Sequence, residues 1–291
     1  MSIKIQKILS RLVLDSRGFP TIEAEVCLSD GSIGRACVPS GASTGEKEAL
    51  ELRDNKQAWA GKGVNRAIQN IEKFLKPIVI GKNPFDIMEI DKTMIALDGT
   101  DNKSNLGANA ILALSLANVR AGAKSNKEHL FEYIKSTLLC NTNKPTVMPI
   151  PMMNILNGGS HADNNVDIQE FMIIPSGFKS YHEALQAGTE IFHSLKALLK
   201  KKKHSTSIGD EGGFAPNLNN NEEAIELILN SIDLAGYNSQ TEIKLALDVA
   251  ASELYSKTKN IYHLNNRKYS PSQLIQYYEK LCLEYPIISI E

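Results

Sequence analysis

Gly209-Asp210-Glu211-Gly212-Gly213 sets two adjacent carboxylates among glycines, and Leu245-Ala246-Leu247-Asp248 downstream is an apolar run that ends on an acid. Glycines on both sides let the backbone turn tightly and leave the acids uncovered. Acids held on a rigid turn suit proton transfer or cation binding. The same residues also read as an ordinary solvated turn, since Gly, Asp and Asn make turns everywhere. Further acids bear on that choice. Glu170, Asp248 and Glu291, like Glu211, each lie in or just beyond an apolar strand-like run. Strands alternating with helices build a parallel sheet, and in a β/α barrel the active site lies at the C-terminal strand ends. Asp248 and Glu291 occupy that place on successive strands. Parallel neighbours lie about 5 Å apart, so the two carboxylates are able to share one cation. Oxygen donors without His or Cys favour Mg²⁺ over zinc. A single acid at a strand end, taken alone, is usually structural or solvated.

Length and composition bound the rest. The 291 residues suffice for a large core in two domains. Apolar content of 42% and charged content of 22% are those of an ordinary globular protein. A net charge of −1 argues against a general nucleic-acid-binding surface, so an anionic substrate needs a local cation or a metal. Cys27, Cys37, Cys140 and Cys282 are scattered, with neither zinc-site spacing nor disulfide density, so reduced thiols in a cytoplasm are expected. The N-terminus has no long apolar core, hence no signal peptide, and no run of about 18 apolar residues spans a membrane.

Upstream of the acids, residues 3–14 and 20–28 read as strands, and Asp30-Gly31 as the turn to a returning strand over 33–38. Pro39 to Gly45 is a loop of small residues, suited to a lid or a plain connector, and without the Lys-Ser/Thr ending of a P-loop. Residues 46–53 read as helical. A longer helix carries Ile68, Ile71, Leu75 and Ile78 on one face, and another after Pro84 carries Ile87, Ile90 and Met94. Asn105 to Ala123 is a buried helix. A small antiparallel sheet with helices thus makes an α+β first domain over 1–140, and polar Asn141 to Pro145 is its boundary. Over 141–291 the expected strands are Val147–Leu156, Val166–Ile174, Ile243–Val249 and 286–290. The expected helices are 181–200 (Leu185, Phe192, Leu195 and Leu199 inward), 222–235, and one capped by Ser270-Pro271 with Ile275, Tyr278 and Leu281. Lys200 to Lys203 is a solvated helix end, and a nucleic-acid patch is the lesser reading.

Leu14-Asp15-Ser16-Arg17-Gly18, Val38 to Gly45, Leu97 to Thr100, Lys103 to Ala110, Asn157 to Ala162, Gln169-Glu170-Phe171-Met172 and Gly209 to Gly213 together resemble the motifs of enolase, in its order and along the whole length. Asn165 to Phe171 is similar to the bacterial form. The resemblance implies an α+β capping domain followed by the first half of a TIM-like β/α barrel. It also implies reversible Mg²⁺-dependent dehydration of 2-phosphoglycerate to phosphoenolpyruvate, with two Mg²⁺ per site, in a cytoplasmic homodimer also met at cell surfaces or secreted. By the same resemblance Asp248 and Glu291 would ligate the catalytic Mg²⁺, and Ser40, on a lid loop, the second. Glu211 would be the acid that helps the hydroxyl leave, its pKa raised by burial and neighbouring acids. Glu170 would support it, while Gln169, His161, Glu170 and Glu291 would contact substrate, with His161 on a second mobile loop.

Some residues depart from the family pattern. Phe19 stands where Asn is usual, with a local effect expected, and Asp163 adds a charge near an anionic substrate. The family continues beyond Glu291 into a third metal carboxylate, a lysine base and phosphate-holding residues. An eight-stranded barrel needs about 250 residues, so 141–291 reads as half of one, with an exposed strand edge and apolar interior. Residues 1–291 alone are therefore expected to lack the base and to be inactive. The alternative is a non-catalytic, shortened enolase-like binding protein or a pseudogene product.

Overall fold

The computed structural model describes residues 2–41, 45, 47–138 and 145–291, and the chain divides into two compact units, Met1–Pro145 and Thr146–Glu291. Cys140 and the boundary stretch 141–144 lie outside the described residues, as do Ala42 to Thr44 of the first loop.

In the first unit β1 (Ile5–Leu14), β2 (Pro20–Leu28) and β3 (Ile33–Cys37) form an antiparallel meander in the order β1-β2-β3. Alternation along β2 turns Ile22, Ala24, Val26 and Leu28 into the core. In the β1–β2 turn the Asp15 carboxylate accepts the N–H groups of Arg17 and Phe19, and the Phe19 ring lies under the ammonium of Lys62, outside that turn. The helical run comprises α1 (Asn65–Asn70), a π turn (Ile71–Leu75) and α2 (Lys76–Val79). Ile71 and Leu75 are fully buried, with Ile68 and Ile78 packed beside them, as the spacing predicts. Pro77 has no N–H and its ring crowds the carbonyl four residues back, and the π turn opens where that conflict falls. Next come α3 (Ile87–Asp98), α4 (Ala108–Ser125) and α5 (Leu130–Thr137), the last without a counterpart in the sequence reading. Buried α4 packs on β3 so closely that a Cβ on Gly34 would lie 2.1 Å from the Ala117 carbonyl oxygen and 2.2 Å from the Ala121 nitrogen.

Residues 47–53 do not form the helix expected over 46–53, and Glu46 lies outside the described residues. Leu50 donates to the Asn102 carbonyl, and Ala108 donates to that of Leu50. Asn109 binds both backbone groups of Leu52: its Oδ1 accepts the N–H (3.1 Å) and its Nδ2 donates to the carbonyl (3.2 Å). Leu50 and Leu52 thus give both backbone groups to partners outside the segment and have none left for a helical ladder. Asn109 is 3% exposed, so Asn109→Ala leaves two buried groups unpaired. It should cost about 1–3 kcal/mol, read as a lower urea midpoint at unchanged slope.

The second unit contains β4 (Met153–Asn157), β5 (Glu170–Pro175), α6 (Tyr181–Lys201), α7 (Asn221–Leu234), β6 (Ile243–Asp248) and α8 (Ala251–Leu254). A small antiparallel sheet of β7 (Tyr255–Ser256), β8 (Ile261–Leu264) and β9 (Arg267–Tyr269) follows, then α9 (Pro271–Glu284) and β10 (Ile287–Ile290). The main sheet has the order β10-β6-β5-β4. Phe171, Ile173, Leu245 and Leu247 face a core shared with α6, α7 and α9, while Met172, Ile174 and Ala246 point the other way. Among the described residues β4 and β10 are its edges, and Ile288 of β10 is exposed.

The sheet is mixed, not parallel as the alternation suggested. β5 runs antiparallel to β4 and to β6, and only β6 and β10 are parallel. The connections explain this. Residues 158–169 return directly, without the helical crossover a parallel pair needs. Between β5 and β6 stand two helices, after which the chain re-enters at the end where β5 leaves it, Ile243 pairing with Pro175, whereas between β6 and β10 the path through α9 carries the chain back across the sheet and leaves those strands parallel. The apolar run from Val147 becomes a strand only at Met153. Pro149 and Pro151 cannot donate to a ladder, and Val147, Met148 and Ile150 are exposed. Leu185 and Ile275 are also exposed, contrary to the helical-face assignment. On α6 Leu195 and Leu199 are buried and Phe192 packs on the core as expected, and Ala184, Ala187, Gly188 and Ile191 complete the stripe in place of Leu185. Ser270 does cap α9, in a capping box with Gln273. Among the described residues no helix is long and apolar enough to cross a membrane.

Candidate active site

The mixed sheet gathers the acids. Because β5 runs against its neighbours, its first residue, Glu170, stands beside the last residues of β4 and β6, Asn157 and Asp248. Glu291 follows β10 and joins the same rim: its N–H donates to the Leu247 carbonyl (2.9 Å), and Val249 donates to its carbonyl (3.0 Å). Glu170, Asp248 and Glu291 therefore meet at one end of the sheet.

Glu211 arrives by the glycine turn. Gly209 donates to Gly213 (2.8 Å) and Gly212 to Gly209 (3.1 Å), closing a tight hairpin. Phe214 then pairs with β4, accepting from Asn157 (2.8 Å) and donating to Ile155 (3.0 Å), while its ring stacks on Phe192 of α6. A Cβ on Gly213 would lie 2.4 Å from Asn157 Oδ1, so only glycine lets the hairpin sit flush against the strand end. Asp210 donates to the His161 carbonyl (3.0 Å), joining this turn to the other loop. Donor atoms of His161, Glu170 and Glu211 consequently lie within 4.8 Å of one another. The burial expected for Glu211 is not found: at the tip of a glycine hairpin it has nothing to cover it and is exposed.

Burial pushes the pKa of Glu170 up, Asp248, Glu211 and Glu291 add to the rise, and the His161 imidazole opposes it. Since the folded state binds the carboxyl proton more tightly than the unfolded chain, the group favours folding in acid. That contribution is lost as pH rises through the raised value. Glu170→Gln should remove the loss: with a chelator present, its melting temperature exceeds wild type above that pH, and the two curves converge in acid.

His161 is 5% exposed, and Nδ1 stands 3.3 Å from Glu170 Oε1, yet neither imidazole nitrogen makes a hydrogen bond. Gln169 is equally buried and lies in a directed chain: Ser160 Oγ donates to its Oε1 (2.7 Å), and its Nε2 donates to Asp248 Oδ2 (3.1 Å). The other Asp248 oxygen accepts from Ala250 N–H (2.9 Å). The sequence reading missed this part for Ser160; its only signal was a hydroxyl beside His161 in the Asn157–Ala162 motif. Asp163 is exposed.

Ser40 belongs to the first unit. Its hydroxyl donates to Glu51 (3.0 Å) and accepts from Arg53 (3.0 Å), and its carbonyl accepts from Arg17 (2.8 Å). Asp248 and Glu291 offer carboxylate oxygens on adjacent strands, and each bonded Asp248 oxygen retains a lone pair, a donor set that fits a hard divalent cation.

Residues 5–134 match the family model described as "Enolase, N-terminal domain", and residues 145–291 match "Enolase, C-terminal TIM barrel domain".

Proposed function

The chain belongs to the enolase family, and from that premise we propose that its residues serve the reversible Mg²⁺-dependent dehydration of 2-phosphoglycerate to phosphoenolpyruvate, the glycolytic enolase reaction. The observation that carries the proposal is the convergence of Glu170, Asp248 and Glu291 at one sheet end, with Glu211 on the adjoining turn. Asp248 and Glu291 would hold the catalytic cation, and Ser40 would serve a second. Bound to a substrate carboxylate, Mg²⁺ supplies positive charge that offsets the extra negative charge made when the neighbouring carbon loses its proton.

The chain's own side chains do the rest. The hydroxyl leaves only if it is protonated, and Glu211, exposed and next to Glu170, would present that proton. Glu170, whose pKa is pushed up by burial and by Asp248, would support Glu211 in that role. Gln169 aims Asp248, and His161 with Gln169 would line the substrate position. Enolase-superfamily sites take the carbon-bound proton with a Lys or His; none of the described residues is assigned that role.

The test uses 2-phosphoglycerate with Mg²⁺, following the ultraviolet absorbance of the enol product, beside calorimetric Mg²⁺ binding. Product formation abolished by a chelator is expected of the complete site. Cation binding without product would take the reaction away from residues 1–291, and neither signal would sink the proposal.

A further inference from the structure

Beside the Asp248–Glu291 pair stands a donor set of different chemistry. His161, Glu170 and Glu211 offer one imidazole nitrogen and two carboxylates whose donor atoms lie within 4.8 Å of one another. One edge is already at ligand spacing. Ligands about 2.0–2.1 Å from a tetrahedral ion are separated by roughly 3.3–3.4 Å, and His161 Nδ1 stands 3.3 Å from Glu170 Oε1. That approach is not a hydrogen bond, and neither nitrogen of this 5%-exposed imidazole has one. A buried polar ring without a hydrogen-bonded partner asks for an occupant. Glu211, on an exposed glycine hairpin, is free to close the remaining distance, and the bond from Asp210 to the His161 carbonyl keeps the two loops together. A mixed nitrogen and oxygen set suits zinc, whereas Mg²⁺ prefers oxygen alone.

We propose that His161, Glu170 and Glu211 form a Zn²⁺ site with three protein ligands and an open fourth position, distinct in its ligands from Asp248 and Glu291. Where Glu170 and Glu211 are the acids of the dehydration, zinc withdraws both from proton transfer and inhibits. That consequence rests on the functional reading above; the site itself does not.

Metal-stripped residues 1–291 are titrated with Co²⁺, read by its visible spectrum, and with Zn²⁺ by calorimetry, in excess Mg²⁺ and without substrate. The expected result is one Co²⁺ per chain, displaced by Zn²⁺ and not by Mg²⁺. Glu211→Gln and His161→Asn should each weaken zinc binding by on the order of 100-fold, at or beyond the upper end of what an outer-shell partner costs. Asp248→Asn should leave it intact. Glu211 is exposed on a turn, so its variant keeps the wild-type melting temperature and decides the matter alone if His161→Asn fails to fold. Unchanged zinc affinity in Glu211→Gln would place the ion on surface histidines and overturn the proposal. Loss of zinc with Asp248→Asn, or competition by Mg²⁺, would overturn it by placing the ion on the rim pair. Absence of turnover bears only on the dehydration.

Discussion

Asp248→Asn should weaken Mg²⁺ binding by roughly 100-fold or more while moving the melting temperature little. The reasoning separates charge from shape. A hard cation needs anionic oxygens, and the substitution removes the charge of one of the two rim ligands assigned to it. The hydrogen bonds, by contrast, are repairable. The amide oxygen of Asn is able to keep the Ala250 N–H, and the new NH₂ would then face Gln169 Nε2, donor against donor. Rotating the Gln169 amide would turn its oxygen to the new NH₂ and its NH₂ to Ser160, whose hydroxyl is able to accept as well as donate. Calorimetric Mg²⁺ titration beside a thermal melt checks both halves. Full cation affinity in the variant would remove Asp248 from the metal site.

Gly34→Ala should destabilise the first unit by about 3 kcal/mol or more. The added methyl would meet the Ala117 carbonyl oxygen at 2.1 Å and the Ala121 nitrogen at 2.2 Å. Both belong to the backbone of α4, so no side chain is available to rotate aside; the whole helix must lift from β3. Buried Ala110, Ala113 and Leu114 travel with it. Urea unfolding would show a lower midpoint, and an unchanged one would mean that α4 does not sit this close.

The same closeness marks what a sequence carries and what it hides. Thr21 to Val26 alternates, and β2 follows; Ser270-Pro271 is a cap, and α9 starts there. Such signals are local. The segment 47–53 has helical composition, but Asn109, more than fifty residues away, takes the hydrogen bonds of Leu52. The reversal of β5 is likewise set by how chain ends meet, not by the strand's own residues. β7, β8 and β9 are too short to show a period. At the site, the placing of Asp248 beside Glu291 followed from the strand pattern. Burial was expected at Glu211 and falls instead on Glu170, whose pKa it raises, because burial depends on the neighbours a folded chain supplies.

With β5 entering the rim at its beginning, the His161 loop and the rim acid share one uninterrupted piece of backbone. Gly158 donates to Gln169, Asp210 to the His161 carbonyl, and Phe214 to Ile155. None of these amides can be released singly without loosening the next. Amide hydrogen exchange should therefore find Gly158, Asp210 and Phe214 opening as one cooperative unit, with a shared protection factor. A ligand that orders the loop should slow exchange at Phe214, a buried residue it never touches.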